Sequence, residues 1–191
     1  MKAAVLAIGD ELTCGYQLDT NSQFISRRLA ALPADVVLHL SVGDGLQAIH
    51  TALHVAMHMT EADGEPAAVV ISGGLGPTED DLTRQAVAAH FGLELVEDAD
   101  ALAHIRERFA HRGREMPESN RIQAQVPAGS QIIHNGRGTA AGFYLQVEGD
   151  RHVFVTPGVP YEMKGMLENF VLPRLQGLVG TDAFTRRAFV K

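Results

Sequence analysis

A wound α/β fold with a mostly parallel sheet is predicted by three observations. Uninterrupted apolar runs at KAAVLAI (2–8), DVVLHLSV (35–42) and AAVVIS (67–72) read as strands buried on both faces. Helical periodicities separate them: Phe24, Ile25, Leu29 and Leu32 share one stripe of 21–32, and Leu46, Ile49, Leu53 and Met57 share one of 45–61. The resulting order of strand, helix, strand, helix, strand is that of parallel βαβ units.

Further along, helices are predicted over 79–91 and 99–112. The polar connection RGREMPESN then leads to a short helix at 119–125. QIIHN reads as a strand, and GFYLQVEGDRHVFVTP as a hairpin turning at Glu148 to Arg151. A last long helix starts at Pro160, where a missing N–H costs nothing. The tail TDAFTRRAFVK resembles a strand that stops abruptly, so the sequence is expected to be part of a longer protein.

The 191 residues, 46% hydrophobic and 20% charged, suit one α/β domain and exclude disordered and fibrous classes. No apolar run is long enough for a bilayer-spanning helix, so no membrane partner is expected. A formal charge of −7 without a basic run argues against nucleic acid as the main partner, because that affinity rests on Lys and Arg neutralising phosphates. The lone Cys14 excludes an internal disulfide framework, and the opening AAVLAI lacks the flanks of a secretion signal. Both point to a reducing cytoplasm.

The stretch ISGGLGPTEDDLTRQA (71–86) poses a problem of charge. Its glycines, Gly73, Gly74 and Gly76, suit a loop whose amides cradle an anion, yet Glu79, Asp80 and Asp81 follow at the expected helix start. A helix N-terminus favours an anion by about 0.3–1 kcal/mol. Two like charges about 4 Å apart repel by roughly 4 kcal/mol at an effective dielectric of about 20. A phosphate therefore sits on this loop only if a divalent cation bridges it to Asp80, Asp81 or Asp10, the last from the IGDEL segment after the first strand. Magnesium suits that arrangement. A plainer reading stays open beside it: Thr78 with Asp81 approximates a capping box, acids stabilise the first turn of any helix, and Asp10 with Glu11 could simply begin a loop.

Several signatures are missing: GLGPTEDD has no Walker A lysine and does not fit the dinucleotide fingerprint, and there is no nucleophile elbow, CxxC or HExxH. His50, His54 and His58 share one helical face at a spacing that suits zinc, but they have no acid or cysteine partner nearby, and a solvated or packing role is the plainer reading. Arg106, Arg108, Arg112 and Arg114 read mainly as a solvated basic face.

Six segments carry a resemblance: GDEL (9–12), DTN (19–21), SGGLGPTEDDLT (72–83), GREMPESN with Gln123 following, NGRGTAAGF (135–143) and PGVPYEM (157–163). In this order and spacing they resemble the N-terminal domain of the CinA family of competence and damage-inducible proteins, within the wider MoaB/Mog molybdopterin-binding fold. The resemblance covers residues 1–176, leaving 177–191 as a linker or the start of a following domain. It implies a three-layer αβα domain with a small β hairpin, binding a nucleotide or pterin phosphate between the GDE and GGLGPT loops. It also implies metal-dependent ADP-ribose pyrophosphatase activity, giving AMP and ribose 5-phosphate, with molybdopterin binding without cleavage as the alternative.

Carried over by motif, Asp81, Asp80 and Asp10 are the catalytic and metal-holding acids. Glu11, Gly73, Gly74, Gly76, Thr78, Asn120, Asn135, Thr139, Gly158 and Glu162 bind the substrate. The implied cofactor is magnesium, manganese or cobalt, with room for a monovalent cation, and the implied assembly is a homo-oligomer, dimer or trimer. This chain has GTAAG where the family commonly has GTAPG, and TPGVP where LPGVP is frequent; both departures leave the charged positions intact. The C-terminal domain linked in the family with nicotinamide mononucleotide deamidation has no counterpart in this sequence, and deamidation is not expected of it.

Overall fold

The computed structural model describes residues 1–61, 64–148 and 150–179. Six strands form one sheet: β1 (Lys2–Ile8), β2 (Asp35–Val42), β3 (Ala67–Ser72), β6 (Gln131–Ile133), β7 (Gly142–Val147) and β8 (Arg151–Thr156), in the order β2-β1-β3-β8-β7-β6. The β1–β2, β1–β3 and β3–β8 pairs are parallel, and β7 returns antiparallel to β8. The predicted hairpin thus forms and extends the main sheet; Gly149 in its turn lies outside the described residues. A separate two-stranded sheet pairs β4 (Leu95–Glu97) with β5 (Gln125–Pro127), an element not anticipated from sequence because three-residue strands carry no readable period.

Alternation along the strands divides the core into two layers. Leu6, Ile8, Val69 and Ile71 face α3 (Leu46–Met59) and α4 (Thr83–His90), while Val5, Val70 and Phe154 face α2 (Thr20–Leu29), α6 (Pro160–Met166) and α7 (Leu172–Val179). This is the three-layer αβα arrangement. The helix from Pro160 is long, as predicted, with a wider π-type turn over Leu167–Val171. β1 and β3 are buried along nearly their whole length, but β2 alternates between half-buried and exposed. It is the edge strand, so only one neighbour covers it, and the expectation of two buried faces is corrected there.

The helix expected over 79–91 begins at Thr83 instead. Its side chain is fully buried and donates to the Gly73 carbonyl (2.9 Å). Residues before it form tight turns, with Asp81 N–H to Thr78 O at 3.2 Å and Leu82 N–H to Asp80 O at 2.9 Å. The acids Glu79, Asp80 and Asp81 therefore precede the helix rather than occupying its first turn. The short helix at 119–125 is a 3-10 turn at Glu118–Ala124. The 21–32, 45–61 and 99–112 helices form as α2, α3 and α5 (Ala99–Ala110), ending three, two and two residues early. The tail TDAFTRRAFVK lies outside the described residues.

Candidate functional site

The path from β1 to α2 leaves on one face of the sheet and that from β2 to α3 on the other, so a crevice opens beyond the carboxyl ends of β1 and β3. Loops following β1, β2, β3 and β8 enclose there a cleft of about 460 Å³. It is lined by Glu11, Gly73, Gly74, Gly76, Asp80, Asp81, Thr139, Gly158 and Glu162, nine of the predicted residues. Asp10, Thr78, Asn120 and Asn135 are not among the lining residues.

The glycine loop is braced from two sides. Asp81 Oδ1 accepts from Gly76 N–H (2.7 Å), and Oδ2 accepts from Thr78 N–H (2.9 Å) and the Thr78 hydroxyl. The fully buried Arg84 donates to the carbonyls of Leu75 and, at 3.3 Å, Gly76. Burial lowers the Arg84 pKa to about 10, against the pull of nearby Asp81, so it stays cationic at neutral pH. Together Asp81 holds the loop's amides and Arg84 its carbonyls. Two amides at the tip, those of Gly74 and Leu75, donate to no other group among the described residues, and both residues line the cleft. Adjacent amides of this kind form an anion cradle.

Gly73 (φ +116°) and Gly74 (φ +64°) hold backbone conformations that side chains rarely adopt. Asn21, beneath them, donates to Ser72 Oγ (3.0 Å) and the Gly158 carbonyl (2.7 Å), tying the loop after β8 to the end of β3. Asn135 is buried: it accepts from the amides of Arg137 (3.0 Å) and Gly138 (2.8 Å) and donates to Glu162 Oε2 and Ala140 O. It shapes the 135–140 loop and aims Glu162, and it is not among the residues lining the cleft. Asn120 likewise serves Gln123, donating to its Oε1 at 2.9 Å, and Gln123 is the one that reaches the cleft.

Asp44 was not singled out from sequence, although its signal was available: VGDG directly follows the second strand. Asp10 and Asp44 exchange reciprocal bonds, Asp10 N–H to Asp44 Oδ2 (3.0 Å) and Asp44 N–H to Asp10 Oδ1 (3.1 Å). Burial pushes the Asp44 carboxyl up; the bond from the Asp10 amide opposes this, and the charges of Asp10, Glu11 and Asp80 add to it. Because the folded state binds this proton more tightly than the unfolded chain, ionised Asp44 costs stability, and that cost appears as pH rises through its folded-state pKa. Asp44→Asn is therefore expected to raise Tm at pH 7 by about 1–2 °C. The gain should shrink at pH 4; thermal melts at both values check this, and a lower Tm at pH 7 would show that the pairing with Asp10 outweighs the repulsion.

These crowded carboxylates test the implied metal. Their donors are all oxygens, which suits magnesium or manganese. Among the described residues, no three His, Cys, Asp or Glu side chains gather into a protein-only metal cage. The residues thus fit a cation held by one or two carboxylates and completed by ligand phosphates.

A larger cleft of about 730 Å³ lies at the opposite end of the sheet, lined among others by His54, His58, His90, Phe91 and Arg151. The histidine stripe of α3 packs there, with the rings of His50 and His54 at 4.9 and 6.2 Å from that of His90. It has neither the carboxyl ends of the parallel strands nor the glycine loop, so the smaller cleft is the chemical candidate.

Known proteins resemble this chain in sequence and in fold. A family model described as "Probable molybdopterin binding domain" matches residues 4–177. A CinA-like protein of Gemmatimonas aurantiaca is 41% identical over 183 residues, covering 95% of this chain and 41% of that protein. The chain spans less than half the length of the curated relatives it matches. The crystal structure of CinA, a protein of unknown function from Thermoplasma acidophilum, superposes with a TM-score of 0.78 at 34% identity, covering 87% of this chain and 94% of that one. MoaB, a molybdopterin biosynthesis enzyme from Thermus thermophilus, shares the fold, with a TM-score of 0.60, 21% identity and 93% of each chain covered.

Proposed function

From the premise that the chain belongs to the molybdopterin-binding-domain family, as a CinA-type member with the MoaB/Mog fold, we propose that its 460 Å³ cleft binds a phosphate-bearing pterin of the molybdopterin type. The observation that carries this reading is the glycine loop at the end of β3, braced by Asp81 and Arg84 with the Gly74 and Leu75 amides left to an anion. One or two of Glu11, Asp44 and Asp80 would hold a divalent cation against the ligand's phosphates, and Thr139 and Glu162 would meet its polar edge. A homo-oligomer, dimer or trimer, belongs to the same proposal; Tyr16 and Leu18, 86% and 87% exposed, are apolar surface that such an assembly would cover. No helix among the described residues is long and apolar enough to cross a membrane, and a cytoplasmic setting is proposed with the rest.

A second reading is metal-dependent hydrolysis of ADP-ribose to AMP and ribose 5-phosphate. The observation favouring it is the mutual repulsion of Asp44 with Asp10, Glu11 and Asp80, which a cation would relieve. A bound divalent metal supplies charge neutralisation of the diphosphate and a more acidic water. This chain's own part would be to hold the non-attacked phosphate on the loop amides and take up a proton at Asp44, the cleft carboxylate whose proton affinity burial raises.

One experiment separates the two. Purified protein is titrated calorimetrically with molybdopterin and with ADP-ribose, each with magnesium, manganese or cobalt, and the ADP-ribose samples are assayed for AMP. Saturable pterin binding without AMP release is the expected result. AMP release that requires metal would establish hydrolysis instead, and a folded protein that binds neither ligand would overturn both readings.

A further inference from the structure

The cleft has an imbalance: Glu11, Asp44, Asp80, Asp81 and Glu162 line it, and no Lys or Arg does. Arg84, behind the loop, is buried and spent on carbonyls. A cation does flank the wall residues. Arg137 lies on the same loop as Thr139 and Ala140, which form one wall, and its guanidinium sits over the ring of Tyr161, 4.2 Å from the centroid. Its Nη1 donates to the Tyr161 carbonyl at 2.8 Å, and its backbone amide is fixed by Asn135 Oδ1 at 3.0 Å. Gly165, one turn further along α6, leaves room for its Cδ and Nε. Tyr161 is 57% exposed and precedes Glu162, a wall residue of the cleft.

Arg137 forms no ion pair among the described residues, although Glu162 belongs to the same wall. Glu162 is instead occupied by Asn135 and wedged against Gly138, where any Cβ would meet its carboxylate. The Nε and Nη2 donors of Arg137 have no partner among the described residues. A guanidinium stacked on one face, anchored at one nitrogen and free at the others keeps its planar fork for an oxyanion. We infer that Arg137, held in place by Tyr161, is the phosphate-recognising side chain of this cleft and sets its preference for ligands with a phosphate at the rim. This rests on the cleft being a phosphate-ligand site, as proposed above. Tyr161 is then a positioning residue, acting through Arg137.

The test uses ADP and adenosine as probes, with magnesium, on the full chain and its Arg137→Gln, Arg137→Lys, Tyr161→Phe and Tyr161→Leu variants. All four changes are at exposed positions, and circular dichroism confirms each fold. Wild type is expected to favour ADP over adenosine, and Arg137→Gln to lose roughly tenfold in ADP affinity with adenosine binding unchanged. Arg137→Lys should recover only part of the loss, because an ammonium lacks the fork. Tyr161→Phe, which keeps the ring, should bind ADP like wild type, whereas Tyr161→Leu should lose a few-fold; a merely structural tyrosine would not separate the two. Equal ADP affinity in wild type and Arg137→Gln overturns the role of Arg137 and leaves the site reading intact. A wild type with no preference for ADP over adenosine overturns the phosphate-site reading itself, and the role of Arg137 with it.

Discussion

Gly73→Ala is expected to be the most damaging single substitution in the domain, lowering stability by about 3 kcal/mol and abolishing ligand binding. Two independent effects add. The φ of +116° is one that a side chain rarely adopts, and a Cβ there would drive into the Ile8 carbonyl oxygen on β1, a backbone atom that cannot swing aside. Gly158 also approaches this point, its own Cβ position lying 3.3 Å from Gly73 Cα, so relief in that direction would push out the loop after β8. A loss of about 3 kcal/mol corresponds to a fall in Tm of roughly 6–12 °C for a domain of this size. Gly177→Ala in α7 is the control: nothing lies within 4 Å of its Cβ position, and it should be neutral or stabilising by up to about 1 kcal/mol. Comparable losses from both substitutions, measured by urea unfolding, would show that helix and loop glycines are equivalent here and that the close approach to β1 is unimportant.

Asp81→Asn is expected to cost about 1–3 kcal/mol and most of the affinity for a phosphate ligand. Whichever way the new amide turns, its NH2 faces a donor: Gly76 N–H in one orientation, Thr78 N–H in the other. The carboxylate's attraction to the buried Arg84 is also lost. The loss should therefore be seen in the apo protein, before any ligand or metal is added. Asp80→Asn should behave oppositely: its side chain is at the cleft surface, so Tm should be nearly unchanged while metal-dependent ligand affinity falls. Thermal melts and calorimetric titrations of both variants decide the matter. A thermally silent Asp81→Asn would return Asp81 to the part of a free metal or catalytic acid, as the sequence pattern alone suggests.

That pair shows where sequence reading reached its limit. The pattern GGLGPTEDD marked a loop and two acids, Asp80 and Asp81, that line the cleft, and GDEL, NGRGTAAGF and PGVPYEM marked other segments that meet there. Among three adjacent acids, however, composition and spacing do not say which carboxylate turns inward to two amides and which turns outward. Nor could they bring Asp44 to Asp10, 34 positions away, or seat Arg137 over Tyr161, 24 positions away.

By itself the sequence determined the wound α/β class, the strands β1, β3 and β8, the helices between them and the family. These follow from local periodicity, and from glycines whose backbone freedom no other residue replaces. Only the tertiary structure decided that β2 is an edge, that α4 begins after the acids instead of among them, and that Asn135 shapes a wall of the cleft while Arg137 is seated over Tyr161. Burial, hydrogen-bond saturation and the field of neighbouring charges depend on which distant segments meet, and no local window of sequence contains that information.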